Sequence, residues 1–357
     1  MNYRLGALGW LAGPTLQAAG GVSNAGLYDQ RLAIEWVSQY ISLFGGDPNR
    51  ITILGESAGG SSIEHQVTAY GGQNGVSFQR AISQSPGFFP AASQYIQETT
   101  TQEFLSILGV DSIEAARSAS SNAVIAANLA QVAQSNYGVF TYGPVVDGIF
   151  VPELPGLLLN SGQFAPNVQV MVGHNIQEAP MFTPPNVQSN ADIQAWLQLT
   201  YPGIPEQVID YIINTLYPAD YDGSQPYTSP LQRMFLLIQD SAFACNTHYL
   251  AQAYGPQTYA YEFQVPPGLH GQDVPYTFYN NQGSNLAIGL IAPVAETLQA
   301  YLVNFAMNGN PNGQGVPSFQ MSGNNANMQA IGATYIGPMA DDTANARCAW
   351  WQKALYA

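Results

Sequence analysis

Residues 29–44, DQRLAIEWVSQYISLF, bring Leu32, Trp36, Val37, Tyr40, Ile41 and Phe44 onto one face at helical spacing, with Asp29 as the candidate cap. The pattern predicts an amphipathic helix that stops at Gly45-Gly46. The turn residues GGDPNR then deliver Ile51-Thr52-Ile53-Leu54, a β-branched run apolar enough for a short strand buried on both faces. GESAGG (55–60) follows, and after it SSIEHQVTAY has helical composition, so the order is strand, tight glycine turn, helix. Further strands are predicted at RAISQS (80–85), VQVMVG (168–173) and TYAYEF (258–263), separated by long helical or irregular stretches. Strands alternating with helices predict a mainly parallel central sheet flanked by helices. No internal repeat interrupts the pattern, and residues 1–357 read as one domain with insertions.

Composition narrows the function. Charged residues make up only 9% of the 357, far below the roughly 25% of an average domain, and 23 acidic against 8 basic residues give a formal net charge of −15. That charge repels nucleic acid and anionic membrane surfaces, and no apolar run reaches the roughly 18 residues of a membrane span. The opening NYRLGALGWLAG lacks the basic start and long apolar stretch of a secretory leader. There is no phosphate-binding Gly-rich Lys motif, no HExxH and no CxxC, and His65, His174, His248 and His270 never fall at metal-ligand spacing. The expectation is chemistry carried by protein side chains, with no cofactor and no metal.

The turn GESAGG is where such chemistry can sit. A G-x-S-x-G pattern arises by accident in about one chain of this length in ten, so its context must decide. A nucleophilic serine needs a sharp strand-to-helix turn that lifts its Oγ clear of the sheet, with glycines where side chains would collide. Ser57 has the strand before it, Gly55 and Gly59 around it and a helix after it, and the amide of Ala58 at the helix start would supply one oxyanion donor. An acid and a histidine are then expected downstream, each in a loop after a later strand. VQVMVG runs into HNIQEAPMF, which offers Glu178, and TYAYEF runs into QVPPGLHGQDVPYTF, which offers His270. Asp147 in GPVVDG is the main rival acid and His174 the weaker rival base, while His65 and His248 read as packing residues.

These segments resemble the type-B carboxylesterases, the family that includes cholinesterases and fungal extracellular lipases. NAGLYDQRLAIEWVSQYISLFGGDPNRITILGESAGG follows the family's long signature almost without a gap. AISQSPG, GPVVDGIFVPELP, VGHNIQEAPMF and HGQDVPYTF match its later motifs, and PPGLHGQDVPYTFYN is most similar to fungal members. The resemblance implies an α/β-hydrolase fold and a carboxylic ester hydrolase that works through an acyl-enzyme, with Ser57 as nucleophile, Glu178 as acid and His270 as base. It implies an apolar pocket for a small or lipid-like ester near Phe88, Phe89, Met181 and Phe182. The two cysteines, read alone, could be free or bonded. The resemblance implies a long-range disulfide between Cys245 and Cys348, worth about 4–5 kcal/mol for a loop of about 100 residues, and with it an oxidising, extracellular or secretory compartment.

The chain also departs from the family. Ala179 replaces the glycine that usually follows the acid, and Pro86 is inserted where the family has SQSG, which is expected to reshape the pocket beside Phe88 and Phe89. NYRLGALGWL resembles a family strand and turn that other strands and an H-G-G-G loop normally precede. The expectation is therefore an N-terminally incomplete domain that lacks the first strands, with an open apolar sheet edge and without the Gly-Gly oxyanion loop. Such a chain should be poorly soluble and about 10⁴-fold less active than an intact relative. The rival readings are an inert esterase-like fragment and a non-catalytic binding protein.

Overall fold

The computed structural model describes residues 2–91, 93–281, 289–323 and 325–357. Six strands form one sheet in sequence order: β1 (Thr52–Glu56), β2 (Arg80–Gln84), β3 (Gln169–Asn175), β4 (Tyr259–Phe263), β5 (Asn327–Ile331) and β6 (Ile336–Ala340). β1 to β5 run parallel and β6 closes the far edge antiparallel to β5. The four strands expected from the sequence are β1 to β4, each within two residues of its predicted bounds.

The sheet is buried by alternation. Ala81, Val170, Val172 and Ala260 face one side, where Ile63 and Val67 of the helix Ala58–Thr68 and Leu250 of the helix Cys245–Tyr254 cover them. Ile82, Met171, Tyr259, Tyr261 and Phe263 face the other side, against Val294, Leu298, Tyr301 and Phe305 of the helix Ala292–Asn308. With helices on both faces, every residue of β4 and all but the first of β3 are buried, so these strands read as continuous apolar runs. Each large apolar side chain buried this way contributes about 1.5–3 kcal/mol.

Cys245 and Cys348 form a disulfide with Cα atoms 5.1 Å apart across 103 residues. Both are fully buried. The bond ties the helix Ala346–Trp351 to the start of the helix Cys245–Tyr254, beneath the sheet's most buried strands.

Two expectations fail toward the N-terminal side. The first predicted helix runs over Ala25–Tyr40, followed by a single 3₁₀ turn to Phe44, and Asp29 lies inside it rather than capping it. Its carboxylate is instead held by Arg4, with Nη2 2.7 Å from Oδ1 and the Arg4 amide 3.0 Å from Oδ2. The helix is apolar on two sides, and the side turned inward carries Leu27 and Ile34 together with Val37 of the expected face. Leu32, Trp36 and Phe44 of the expected core face are exposed, Trp36 lying 5.3 Å from the Tyr40 ring and 6.1 Å from that of Phe44. The strand expected at NYR is also absent: residues 2–5 are irregular and a short helix, Ala7–Trp10, begins after Gly6. A strand needs a ladder partner, and no described strand lies beside these residues. β1 is an edge strand, and Leu54 on it is 42% exposed.

Candidate active site

Ser57 sits at the corner between β1 and the helix Ala58–Thr68 with φ 57° and ψ −116°, a conformation that an L-residue adopts only under constraint. The constraint is visible. The Ser57 amide donates to Gln84 O at 2.9 Å, and its carbonyl accepts from Ser61 N at 2.9 Å and Gly87 N at 3.1 Å. A Cβ on Gly55 would stand 2.4 Å from the Gly59 carbonyl, and one on Gly60 would stand 2.5 Å from Gln84 O. Gly59 itself faces open space, so the collisions expected of Gly55 and Gly59 belong to Gly55 and Gly60. Ala58 is the first residue of the helix, and its N–H therefore has no acceptor one turn earlier.

His270 lies on the loop after β4. Gln272 shapes that loop: its Oε1 accepts from Gly268 N (2.8 Å) and Leu269 N (3.1 Å), and its Nε2 donates to Val265 O at 3.0 Å. The imidazole Nε2 is 2.7 Å from Ser57 Oγ and Nδ1 is 2.5 Å from Glu178 Oε2. Since a carboxylate can only accept, Nδ1 carries the proton and Nε2 presents its lone pair to the hydroxyl. The rings of Phe243 and Phe182 stand 4.7 and 5.1 Å from the imidazole and keep it from turning.

Glu178 is fully buried in the loop after β3. Its Oε1 accepts from Ser85 Oγ at 2.7 Å and from Asn175 N at 2.5 Å, leaving Oε2 to His270. Asn175 Nδ2 reaches on to Asp273 Oδ1 at 3.2 Å, and Asp273 Oδ2 accepts from Gln84 Nε2 at 3.0 Å and Tyr261 OH at 3.2 Å. Burial, with the nearby Glu178 charge, raises Asp273 above the usual carboxylate range. Burial alone would lower His270, but the hydrogen bond and charge of Glu178, with Glu56 and Asp273 behind it, hold the imidazole above 6.5. Glu56 Oε1 stands 3.5 Å from His270 Nε2, and burial pushes that carboxyl up to about 7 against the pull of His270.

Beside Ser57 opens a cleft of about 400 Å³ lined by Ser57, Ala58, Phe88, Phe89, Phe140 and Tyr142 among others. Met181, expected in the pocket, is half exposed and does not line the cleft. Phe182 serves the His270 ring instead. The inserted Pro86 packs over Gly60 and gives its carbonyl to Asn246 Nδ2 at 3.0 Å, while the Phe88 amide is held by Ala242 O at 3.2 Å. A larger cavity of about 760 Å³, between Leu8, Val22, Phe104 and Ile125, contains none of Ser57, His270 or Glu178.

The rivals lie elsewhere. Asp147 closes its own turn, accepting from Ile149 N and Val151 N at 2.9 Å and from Asn24 Nδ2 at 2.8 Å. His65 is buried on its helix with Nδ1 2.7 Å from Ser61 O and is lowered to about 4 by burial. His248 pairs with Asp341 at 3.2 Å. Ser85, Asn175, Glu56 and Asp273 were not singled out from the sequence, although Ser85 ends the RAISQS run and Asn175 ends β3, both at the edge where the sheet's loops begin.

The carboxylesterase family model matches residues 1–351, and the chain belongs to the carboxylesterase family. It is 40% identical over 357 residues to carboxylesterase patB of Aspergillus clavatus, covering all of this chain and 64% of that protein. A secreted lipase of Arthroderma benhamiae is 30% identical over 87% of this chain and 59% of its own length. Among solved structures, Aspergillus niger EstA superposes with a TM-score of 0.85 at 26% identity, over 99% of this chain and 73% of that one. The fold is that of the α/β-hydrolases. The chain spans less than two thirds of the length of the patB relatives it matches.

Proposed function

We propose that the chain is a carboxylic ester hydrolase in which Ser57 is the nucleophile, His270 the general base and acid, and Glu178 the group that orients and stabilises the imidazole. One observation carries this reading: the unbroken line from Ser57 Oγ through His270 to the buried Glu178 carboxylate, begun at a residue with positive φ. Ser57 Oγ adds to the ester carbonyl carbon as its proton passes to His270 Nε2. The carbonyl oxygen takes the electron pair and accepts from Ala58 N–H at the helix start. Collapse expels the alcohol, which takes the proton from Nε2 and leaves an acyl group on Ser57. Water then repeats the relay and releases the acid. Phe88 and Phe89 give the cleft apolar walls suited to the carbon chain of the ester.

Residues 1–357 are proposed to act as one domain, since a single sheet draws strands from Thr52 to Ala340. An extracellular or secretory location is supported by the disulfide and by relatives named as secreted lipases in Arthroderma benhamiae. Hydrolysis of p-nitrophenyl esters of increasing acyl length tests the activity. A burst of one p-nitrophenolate per chain, absent in Ser57→Ala, is expected. Steady turnover that survives Ser57→Ala would reject the reading.

A further inference from the structure

A second cluster lies at the same end of the sheet. His174 on β3 and Glu262 on β4 are register partners in a parallel pair, so their side chains leave the sheet on the same side. Asp342, in the turn after β6, comes to meet them. A ring nitrogen of His174 and one carboxylate oxygen from each acid all lie within 4.8 Å of one another. The three positions come from separate strands and a turn, so no spacing along the chain marks them.

The histidine makes the cluster more than a group of acids. It is fully buried, and its Nδ1 lies 3.1 Å from the Asn175 carbonyl, which can only accept. When neutral, the ring therefore carries its proton on Nδ1 and a lone pair on Nε2, and Nε2 is buried with no hydrogen-bond partner. An imidazole fixed by one N–H on a backbone carbonyl, with the other nitrogen bare, is how metal-ligating histidines are held. Glu262 is likewise steadied, accepting from Gln264 Nε2 at 2.5 Å. The third acid is exposed, which opens the cluster to solvent and leaves its side chain free to close.

We propose that His174, Glu262 and Asp342 form a binding site for one divalent transition-metal cation. One imidazole nitrogen with two carboxylate oxygens suits Zn²⁺. Bonds of about 2.0–2.2 Å place ligand atoms about 3–4 Å apart, so closure takes a small inward shift of the Glu262 carboxylate as well as rotation of the exposed Asp342 side chain. The ion would cancel two carboxylate charges and pin the turn before the helix Ala346–Trp351 to the ends of β3 and β4. Glu178 lies four residues after His174 and His270 eight after Glu262, so the cation would brace both loops from behind without touching substrate.

The test is calorimetric titration of the EDTA-dialysed full chain with ZnCl₂, with thermal unfolding run in parallel. One Zn²⁺ per chain and a raised Tm are expected, with Asp342→Asn binding at least about 10-fold more weakly. Because Asp342 is at the surface, that variant should keep the parent's circular dichroism. His174→Gln, similar in volume, should also lose the binding. No Zn²⁺ uptake by the parent, or equal affinity in the parent and Asp342→Asn, overturns the proposal.

Discussion

The two sides of the sheet that flank Ser57 are built differently. On the side of β3 and β4, the Glu178 carboxylate is fully buried with three hydrogen-bonded neighbours, and His270 is wedged between two aromatic rings. On the side of β1 and the helix Ala25–Tyr40, Leu32, Trp36, Leu43 and Phe44 face solvent and β1 is an edge. The first side fixes the positions of proton-carrying groups. The second contributes one backbone donor, Ala58 N–H, and none of its exposed apolar side chains lines the cleft. Rigidity is concentrated where a proton must cross a 2.7 Å gap, and a small displacement there costs more than a loose outer face.

That contrast can be broken by substitution, starting with the proton line. Ser57→Ala and His270→Ala should each lower kcat for a p-nitrophenyl ester by about 10⁴-fold or more, with the far-ultraviolet circular dichroism unchanged. Glu178→Gln keeps the shape but takes away the charge that stabilises the imidazolium, and a loss of about 10³–10⁴-fold in kcat is expected. Ser85→Ala leaves Glu178 Oε1 with the Asn175 amide alone and removes a single hydrogen bond to a charge, which corresponds to about a 10-fold loss.

Stability should divide along the same line. Phe243→Ala empties a fully buried site beside His270, and urea unfolding should register a loss of about 3–5 kcal/mol. Trp36→Lys on the outer face should move stability by about 0.5 kcal/mol or less. Comparable losses at both positions would erase the distinction between the two sides.

The smallest predicted effect is in pH. His270 must be neutral to accept the Ser57 proton, and its affinity for a proton is raised, so kcat/KM should fall as pH drops through a value above 6.5. Glu56 helps to raise it from 3.5 Å away. Glu56→Gln removes that attraction and should move the acidic limb to lower pH. The shift is limited because the Glu56 carboxyl, pushed up to about 7, is itself partly protonated there.

The sequence predicted the same division unevenly. β1 to β4 were legible because strands covered on both faces need unbroken apolar runs such as VQVMVG. β5 and β6 were not: polar residues, glycine and proline dilute the apolar character of NMQAI and IGPMA. The helix Ala25–Tyr40 was found, but periodicity cannot choose between two apolar faces: the core took Leu27 and Ile34 and, of the expected face, Val37, while Leu32, Trp36 and Phe44 stayed exposed. At the site, Ser57 was marked by its glycines, and Glu178 and His270 by the loops after their strands. The partners that hold Glu178 were silent because Ser85 and Asn175 lie 90 residues apart and meet only when β2 and β3 pair.

The central claim is that Ser57 is a competent nucleophile. Labelling the purified chain with a fluorophosphonate and mapping the adduct by peptide mass spectrometry tests it most directly. One adduct per chain on Ser57, lost in His270→Ala, is the predicted result. A chain left unmodified, or modified at another serine, would contradict it.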